Sequence, residues 1–487
     1  MSLAVLLHYF SLLMRLTIVV LSIALSSICY TGCVPNPEEQ TDAAAWVQQH
    51  QTPFDRIQPD TTIFSYSLHY DSIFSKDIKV LGLGEPTHGT HESSVLNCEI
   101  IKYMVIYKNC KAICMEAQSP YVLVANDYIL GRIANTDLQI LKTAFIKPSQ
   151  PFKELLEWLR AYNTSTTNKV QIYGVCYGAP DDAALYVLDF LKKNDSTFYN
   201  IIGKEYRRVC NQRIKADTGH LDSRILGEWS VDLPLDSIQH WRLISRQVYT
   251  HLLENRSSYR NADSYTTEVA VSSAKYIMQN FHRPAMRDER YRSFFGSSLQ
   301  KMGFPQYERR RSINLNYYYK DSTWAANTIE IVQNLPSDQT AVIWAHNLHV
   351  GRIITSRTHR MGAYLDEQFE KKYQALGYYF GIGTFVSADA KDGQVKTFSA
   401  NSPPIGSLEH IFSTALPPNT RGMILQTNLP LRPQLFSSSI LSRVGTRIAS
   451  VSEPTKFIQS NPFQEFDVLV YFRETTAEKR FNGKFAP

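Results

Sequence analysis

Five short apolar runs punctuate the chain: IKVLGL (Ile78 to Leu83), KAICME (Lys111 to Glu116), VQIYGV (Val170 to Val175), AVIWA (Ala341 to Ala345) and FDVLVYF (Phe466 to Phe472). Their length and near-continuous hydrophobicity are those of strands buried on both faces. Between them the apolar spacing turns helical. Leu96, Ile100, Tyr103 and Tyr107 recur at steps of four, three and four, which predicts the inner face of a helix after the first strand. Phe152, Leu155, Leu156 and Leu159 predict another before the third. Alternation of strand and helix implies right-handed crossovers, so the predicted fold class is α/β: a mostly parallel central sheet flanked by helices. From about 181 to 334 the strand signal disappears and helical patterns such as Leu235 to Leu253 and Thr266 to Phe281 take over. This stretch is expected to be a large helical insertion that forms a wall or lid over a crevice at the strand ends.

The N-terminal segment is set apart from the fold. From Met14 the chain reads MRLTIVVLSIALSSICYTGC, with one Arg, an apolar stretch from Leu16 to Leu25 and small residues leading to Cys33. This resembles a bacterial lipoprotein signal in which cleavage precedes a lipid-bearing cysteine. Residues 1–33 are read as the signal peptide, with Met1 or Met14 as the start. Residues 34–45 are read as a Pro-containing polar tether, 46–476 as one domain and 477–487 as a C-terminal tail. The apolar run suits a cleaved signal better than a span of ~20 residues. The expected location is the bacterial cell envelope, with the lipid on Cys33 as the only membrane contact. The composition, 44% hydrophobic and 20% charged, is that of a soluble globular protein. The charge of +6 is spread thinly apart from Arg309, Arg310 and Arg311, so nucleic acid is not an expected partner. With Cys29 and Cys33 set aside, Cys98, Cys110, Cys114, Cys176 and Cys210 remain; no CxxC occurs, and buried free thiols are expected.

Three strand ends deliver ionisable residues directly after an apolar run. LGLGEPTHGTHES brings Glu85, His88 and His91; ICMEAQSP brings Glu116; VIWAHNLHVGR brings His346 and His349. Ligands bind outside the carboxyl ends of parallel strands, so residues far apart in sequence would meet in one crevice. Gly82, Gly84 and Gly89 suit a tight turn at which the backbone comes close to a ligand. Neither GxGxxG, the P-loop pattern nor a GxSxG elbow is present, and the SxxK at Ser272 to Lys275 falls in a polar helical stretch. What remains is His with carboxylates, the set needed to activate water by general-base catalysis. The same side chains could ligate Zn²⁺ or Mn²⁺, so metal-dependent hydrolysis stays open, although neither His pair has the HExxH form.

GEPTHGTHE, MEA, NDYILG, WAHNLHVGR, MGAYL, ALGYYFGIGTF and FDVLVYFRETTA follow one another from about Ile78 to Thr476. As an ordered set they resemble the erythromycin esterase family. The resemblance implies an α/β core with a helical insertion, no cofactor, and hydrolysis of a carboxylic ester, in the named members a macrolide lactone. It implies a His that activates water without a covalent intermediate. That role falls on His88, the active-site glutamates on Glu85 and Glu116, and the paired histidines on His346 and His349. Two departures stand out: Asn97 in HESSVLN, where family members usually carry Arg, and Lys320 and Trp324 in YYKDSTWAANTIEIV, where they carry Arg and Met. Asp321 and Asn327 are kept. Arg287, Arg290 and Arg352 are candidates to restore the charge that Asn97 lacks. The expected catalytic set is His88, Glu85, Glu116 and His346, with no metal; His349, His91, Asn347, Asn97, Lys320, Asp321 and Arg352 are expected to contact substrate. Either glutamate would orient His88, and His346 and His349 would donate to the oxyanion or leaving oxygen. The expected partner is a small ester or lactone, macrolide-like or another ester reachable in the envelope, and the chain is expected to be a monomer. A binding lipoprotein that has lost turnover along with the Arg is the remaining alternative.

Overall fold

The computed structural model describes residues 35–54, 70–134, 149–177, 180–210, 235–260, 262–282, 315–355, 358–389, 391, 394–445, 448–450, 452 and 454–479. Cys33, Arg287, Arg290 and the Arg309–Arg311 cluster lie outside the described residues. Among the described residues no helix is long and apolar enough to cross a membrane.

The strands in chain order are β1 (Thr52–Phe54), β2 (Val80–Leu83), β3 (Cys110–Gln118), β4 (Gln171–Cys176), β5 (Thr340–Trp344), β6 (Ile354–Thr355), β7 (Thr358–His359), β8 (Tyr373–Asp389), β9 (Val395–Ala400), β10 (Gly422–Gln426), β11 (Ile440–Gly445), β12 (Ile448–Ala449), β13 (Thr455–Ser460) and β14 (Val468–Thr475). The main sheet runs β1-β10-β14-β8-β2-β5-β3-β4, and β9 and β12 also pair with β8. From β14 to β4 every neighbour is parallel; β1, β10 and β9 pair antiparallel. Two small ladders, β6 with β7 and β11 with β13, stand apart. The α/β expectation holds, and the five expected strands correspond to β2, β3, β4, β5 and β14.

Strand side chains alternate between two cores, as a pleat buried on both faces requires. Leu81, Leu83, Ile113, Met115, Val342 and Trp344 face one, and Val80, Ala112, Cys114, Ala341 and Ile343 the other. The first core is closed by α3 (His91–Tyr107), α4 (Ser119–Ile129) and α5 (Gln150–Thr164), after the short α1 (Pro37–His50) and α2 (Tyr70–Ile73) of the N-terminal region. Phe152, Leu155, Leu156 and Leu159 are buried as their spacing predicts, but Tyr107, at the end of α3, is 54% exposed. The described part of the expected insertion is helical: α6 (Pro180–Asn194), α7 (Ser196–Cys210), α8 (Leu235–Asn255), α9 (Ser264–His282) and α10 (Leu315–Gln333). The first four share an apolar core of their own that includes Val187, Leu191, Ile202, Val248 and Ile277. The second face of the sheet carries α1, α10, α11 (Asn347–Val350), α12 (Met361–Phe369), α13 (Leu408–Ala415) and α14 (Pro462–Glu465).

The segment expected to be a polar tether is, from Pro37, helix α1. Asn36 and Glu39 form a capping box, and Ala43, Ala44, Trp46 and Val47 are buried, so the polar start of the segment is a helix signal followed by an apolar face. Among the described residues Cys98, Cys110, Cys114 and Cys176 are buried and form no disulfide.

Asn97 and Asn347 fasten the centre of the sheet. Asn97 Nδ2–H donates to Gly84 O at 2.9 Å, and the Tyr378 hydroxyl of β8 donates to Asn97 Oδ1 at 2.5 Å. Asn347 Nδ2–H donates to Tyr378 O at 2.6 Å and its Oδ1 accepts from Tyr378 N–H at 3.1 Å. Both are buried, so the expectation that they contact substrate gives way to a structural role. Replacing Asn97 with Arg should therefore destabilise the sheet centre. A buried unpaired charge costs about 3–5 kcal/mol, so N97R should show a large fall in the denaturant midpoint; parent-like stability would mean that the side chain escapes to the crevice.

Behind β8, Glu409 of α13 is fully buried: Oε1 accepts the Arg443 N–H at 2.7 Å and Oε2 has no hydrogen-bond partner among the described residues. Burial pushes its carboxyl up to about 7, against the pull of the Arg443 N–H and guanidinium. The folded chain thus holds a proton that the unfolded chain has released. Stability from this group is full below about 4.5 and is lost as pH rises through about 7. The scale is ~3 kcal/mol. E409Q should remove this slope in pH-dependent chemical unfolding, gaining on the parent above pH 7; an unchanged slope would place the titration elsewhere.

Candidate active site

The order of β2, β5 and β3 decides what meets at their carboxyl ends. β5 lies between the other two, so Glu85, Glu116 and His346, carried by three separate segments, come out side by side. After β2 the chain turns at Gly84, where a Cβ would lie 2.2 Å from Asn347 Oδ1. A Cβ on Gly82 would meet the Tyr373 hydroxyl and one on Gly89 the Val386 carbonyl, so at these glycines the close approach is to protein and not, as expected, to a ligand. β3 loses its even pairing with β4 between Met115 and Gln118, and Glu116 lies in that irregularity, of the kind that re-aims side chains at strand ends.

The turn after β2 holds the first pair. His88 Nδ1 lies 2.5 Å from Glu85 Oε1, and Glu85 Oε2 accepts the Trp344 indole N–H at 3.0 Å. Both oxygens of a buried carboxylate are thereby engaged, one of them by the ring. The His88 side chain is 34% exposed against 3% for Glu85, so the imidazole reaches from an internal anchor towards solvent. A carboxylate at Nδ1 favours the tautomer that leaves the lone pair on Nε2.

The second histidine opens α11. His346 caps this short helix, and its Nδ1 accepts the Leu348 N–H at 3.2 Å. The neutral ring therefore carries its proton on Nε2, which is buried near the Pro86 carbonyl without closing a well-formed hydrogen bond to it. The rings of His346 and His88 stand 5.4 Å apart between centroids. Burial pushes the His346 ring down to about 3, helped by the neighbouring His88 and opposed by Glu116. It remains a neutral donor at any ordinary pH.

Glu116 ties this histidine to the insertion. Its Oε2 accepts the His346 backbone N–H at 2.8 Å, and its Oε1 lies 3.4 Å from His349 Nε2. His349 Nδ1 lies 2.6 Å from Asp321 Oδ1 on α10. Asp321 also accepts from Arg360 Nη1 and Met361 N, each at 3.1 Å. Burial alone would raise the Glu116 carboxyl, but His349, His88, Lys320 and the His346 N–H outweigh it and hold the group well below the usual range. Asp321 is likewise held low despite burial, by His349, Arg360 and Lys320. The His88 partner in hydrogen-bond contact is thus Glu85, and Glu116 acts on it through space. His349, expected to donate to substrate oxygen, has carboxylate oxygens at both ring nitrogens.

The remaining expected residues separate. Lys320 stands over the Trp324 ring beside this network, 4.1 Å from the ring centroid. Asp321 orients His349. His91 starts α3, its backbone N–H bonded to Thr476 O at 3.0 Å and its Nδ1 buried without a partner among the described residues. Arg352 does not supply the missing charge: it binds Asp366, Asp467 and the Tyr373 carbonyl, fastening α12 to the sheet. Two contributors had not been singled out. Trp344 lay inside a run read only as a strand, although an indole N–H at a strand end needs a partner. Arg360 directly precedes MGAYL. Among the described residues no three His, Cys, Asp or Glu side chains are grouped as a metal-ligand set.

Comparison with known proteins agrees with this architecture. A crystal structure of a protein from Bacillus cereus matches with TM-score 0.71 and 18% identity over 92% of this chain and 100% of that one. A succinoglycan biosynthesis protein matches with TM-score 0.69 and 16% identity, over 92% and 100%. A mutant of the erythromycin esterase EreC in its open conformation matches with TM-score 0.52 and 16% identity, over 84% and 93%. At these identities the likeness shows the fold alone. The family model described as erythromycin esterase matches residues 105–475. That span includes Glu116, Asp321, His346 and His349 and begins after Glu85 and His88, whose place rests on the geometry above. The chain belongs to the erythromycin esterase family.

Proposed function

We propose that the protein hydrolyses a carboxylic ester or lactone by attack of a water molecule that His88 deprotonates. Family membership supports ester hydrolysis in general. The observation that carries the mechanism is the Glu85-anchored imidazole of His88 set against the buried Nε2–H of His346.

Water hydrogen-bonded to His88 Nε2 gives up a proton as its oxygen attacks the carbonyl carbon, and the His88 cation that forms is stabilised at Nδ1 by Glu85. Negative charge gathers on the former carbonyl oxygen. The His346 Nε2–H, fixed by Leu348 N–H at its far side and by Glu116 on its backbone, is oriented to bind that oxygen. Because burial keeps His346 neutral, it donates without adding a second cation beside His88. When the tetrahedral intermediate collapses, the His88 proton passes to the alkoxide, releasing acid and alcohol and regenerating the base. Glu116, His349 and Asp321 act in this scheme as positioning residues. The substrates that fit are esters and lactones reachable from solvent, macrolide lactones among them.

A panel of ester and lactone substrates on the purified protein tests this. H88A should lower kcat/KM by roughly 10²–10⁴-fold, and H346A by about 10²–10³-fold, with E85Q weakening the reaction through His88. Undiminished turnover by H88A would remove His88 from the mechanism. Chelation followed by dialysis should leave the rate unchanged; loss restored by Zn²⁺ or Mn²⁺ would favour metal-activated water on the same residues.

A further inference from the structure

We infer that the crevice carries a subsite for a carboxylate on the substrate, built from Lys320 and Trp324 of α10, so that the preferred ester bears a negative charge. This rests on the proposed hydrolysis for the ester and on α10 alone for the anion.

Lys320 is a cation left over. The carboxylates nearest to it are already engaged: Glu116 by the His346 N–H and His349, and Asp321 by His349, Arg360 and the Met361 N–H. Its ammonium is half-buried over the Trp324 ring, and among the described residues it has no hydrogen bond or ion pair. Yet it stands close enough to Glu116 and Asp321 to be one of the charges that keep both ionised.

Trp324 adds an independent sign. The residue is 5% exposed, and its Nε1–H is buried with no acceptor among the described residues. Natural proteins rarely leave such a donor unused unless something else binds it. The ring centroid lies 4.9 Å from that of His349. Residues four apart share a helix face, so the ammonium lies over the ring that carries the orphaned indole N–H, and both stand next to the network that positions His346. A cation and a neutral N–H with no carboxylate to spare form a receptor for a carboxylate.

A matched pair of aryl acetates, 4-acetoxybenzoate and 4-acetoxybenzamide, tests the inference, with the products 4-hydroxybenzoate and 4-hydroxybenzamide titrated by calorimetry so that binding is read without turnover. The parent should favour the anionic member by roughly tenfold, the scale of one partly desolvated charge pair. K320M should bring the ratio near one, K320R should preserve it, and W324F should lower it in part; the neutral member reports general damage, so the ratio isolates the charge. Equal affinity for the pair in the parent, or a preference that K320M leaves intact, overturns the subsite and shows that Lys320 only offsets its acidic neighbours. Selective binding of 4-hydroxybenzoate with neither ester hydrolysed upholds the subsite and counts against hydrolysis. Hydrolysis of both esters without preference does the reverse.

Discussion

Everything at the strand ends depends on Glu116 remaining an anion in a place where burial would otherwise neutralise it. Its charge is kept by surrounding imidazoles, an ammonium and one backbone N–H, and in return it fixes the segment from which His346 projects. A protonated Glu116 would lose an acceptor at the His346 N–H or at His349, and the geometry of α11 would loosen. The neutral state of His346 and the ionised state of Glu116 are two sides of one electrostatic arrangement, since burial disfavours charge on the ring while the same ring's backbone stabilises charge on the carboxylate.

Two carboxylate–histidine pairs are set in parallel but differ in exposure. In the Glu85–His88 pair the imidazole is partly open to water, as a base requires. In the Asp321–His349 pair both partners are buried and the carboxylate also takes Arg360, which suits a strut. The same residue types thus stand in two settings, and the difference between them is solvent access.

How much of this was legible follows from what each signal measures. Hydrophobic runs report burial, and they located β2, β3, β4, β5 and β14 and the helices between them. The ionisable residues that follow those runs are the ones that β2, β5 and β3 bring side by side. Strand order is set by crossovers and leaves no periodic trace, so the adjacency of β2, β5 and β3 could be anticipated only as convergence at one edge. β8 has 17 residues, yet Gly377, Gly381 and Gly383 weaken its strand character; a Cβ on Gly377 would collide with the Phe466 ring, so these glycines record packing that only the fold reveals. Asn97 drew attention as the residue standing where the resembled family usually carries Arg, and Asn347 as part of WAHNLHVGR. Their buried hydrogen bonds to Tyr378 are long-range and invisible in composition.

The bond from the His346 backbone to Glu116 spans 230 positions of sequence, and the one from Trp344 to Glu85 spans 259. Contacts of that separation carry a large loop-closure cost and form late in folding. A growing polypeptide that has delivered β2 and β3 holds half the constellation, and it must wait for the intervening helices to be synthesised before β5 slots between those two strands. The side chains that meet at the strand ends are therefore brought together only after β5 has been made, however early β2 and β3 emerge.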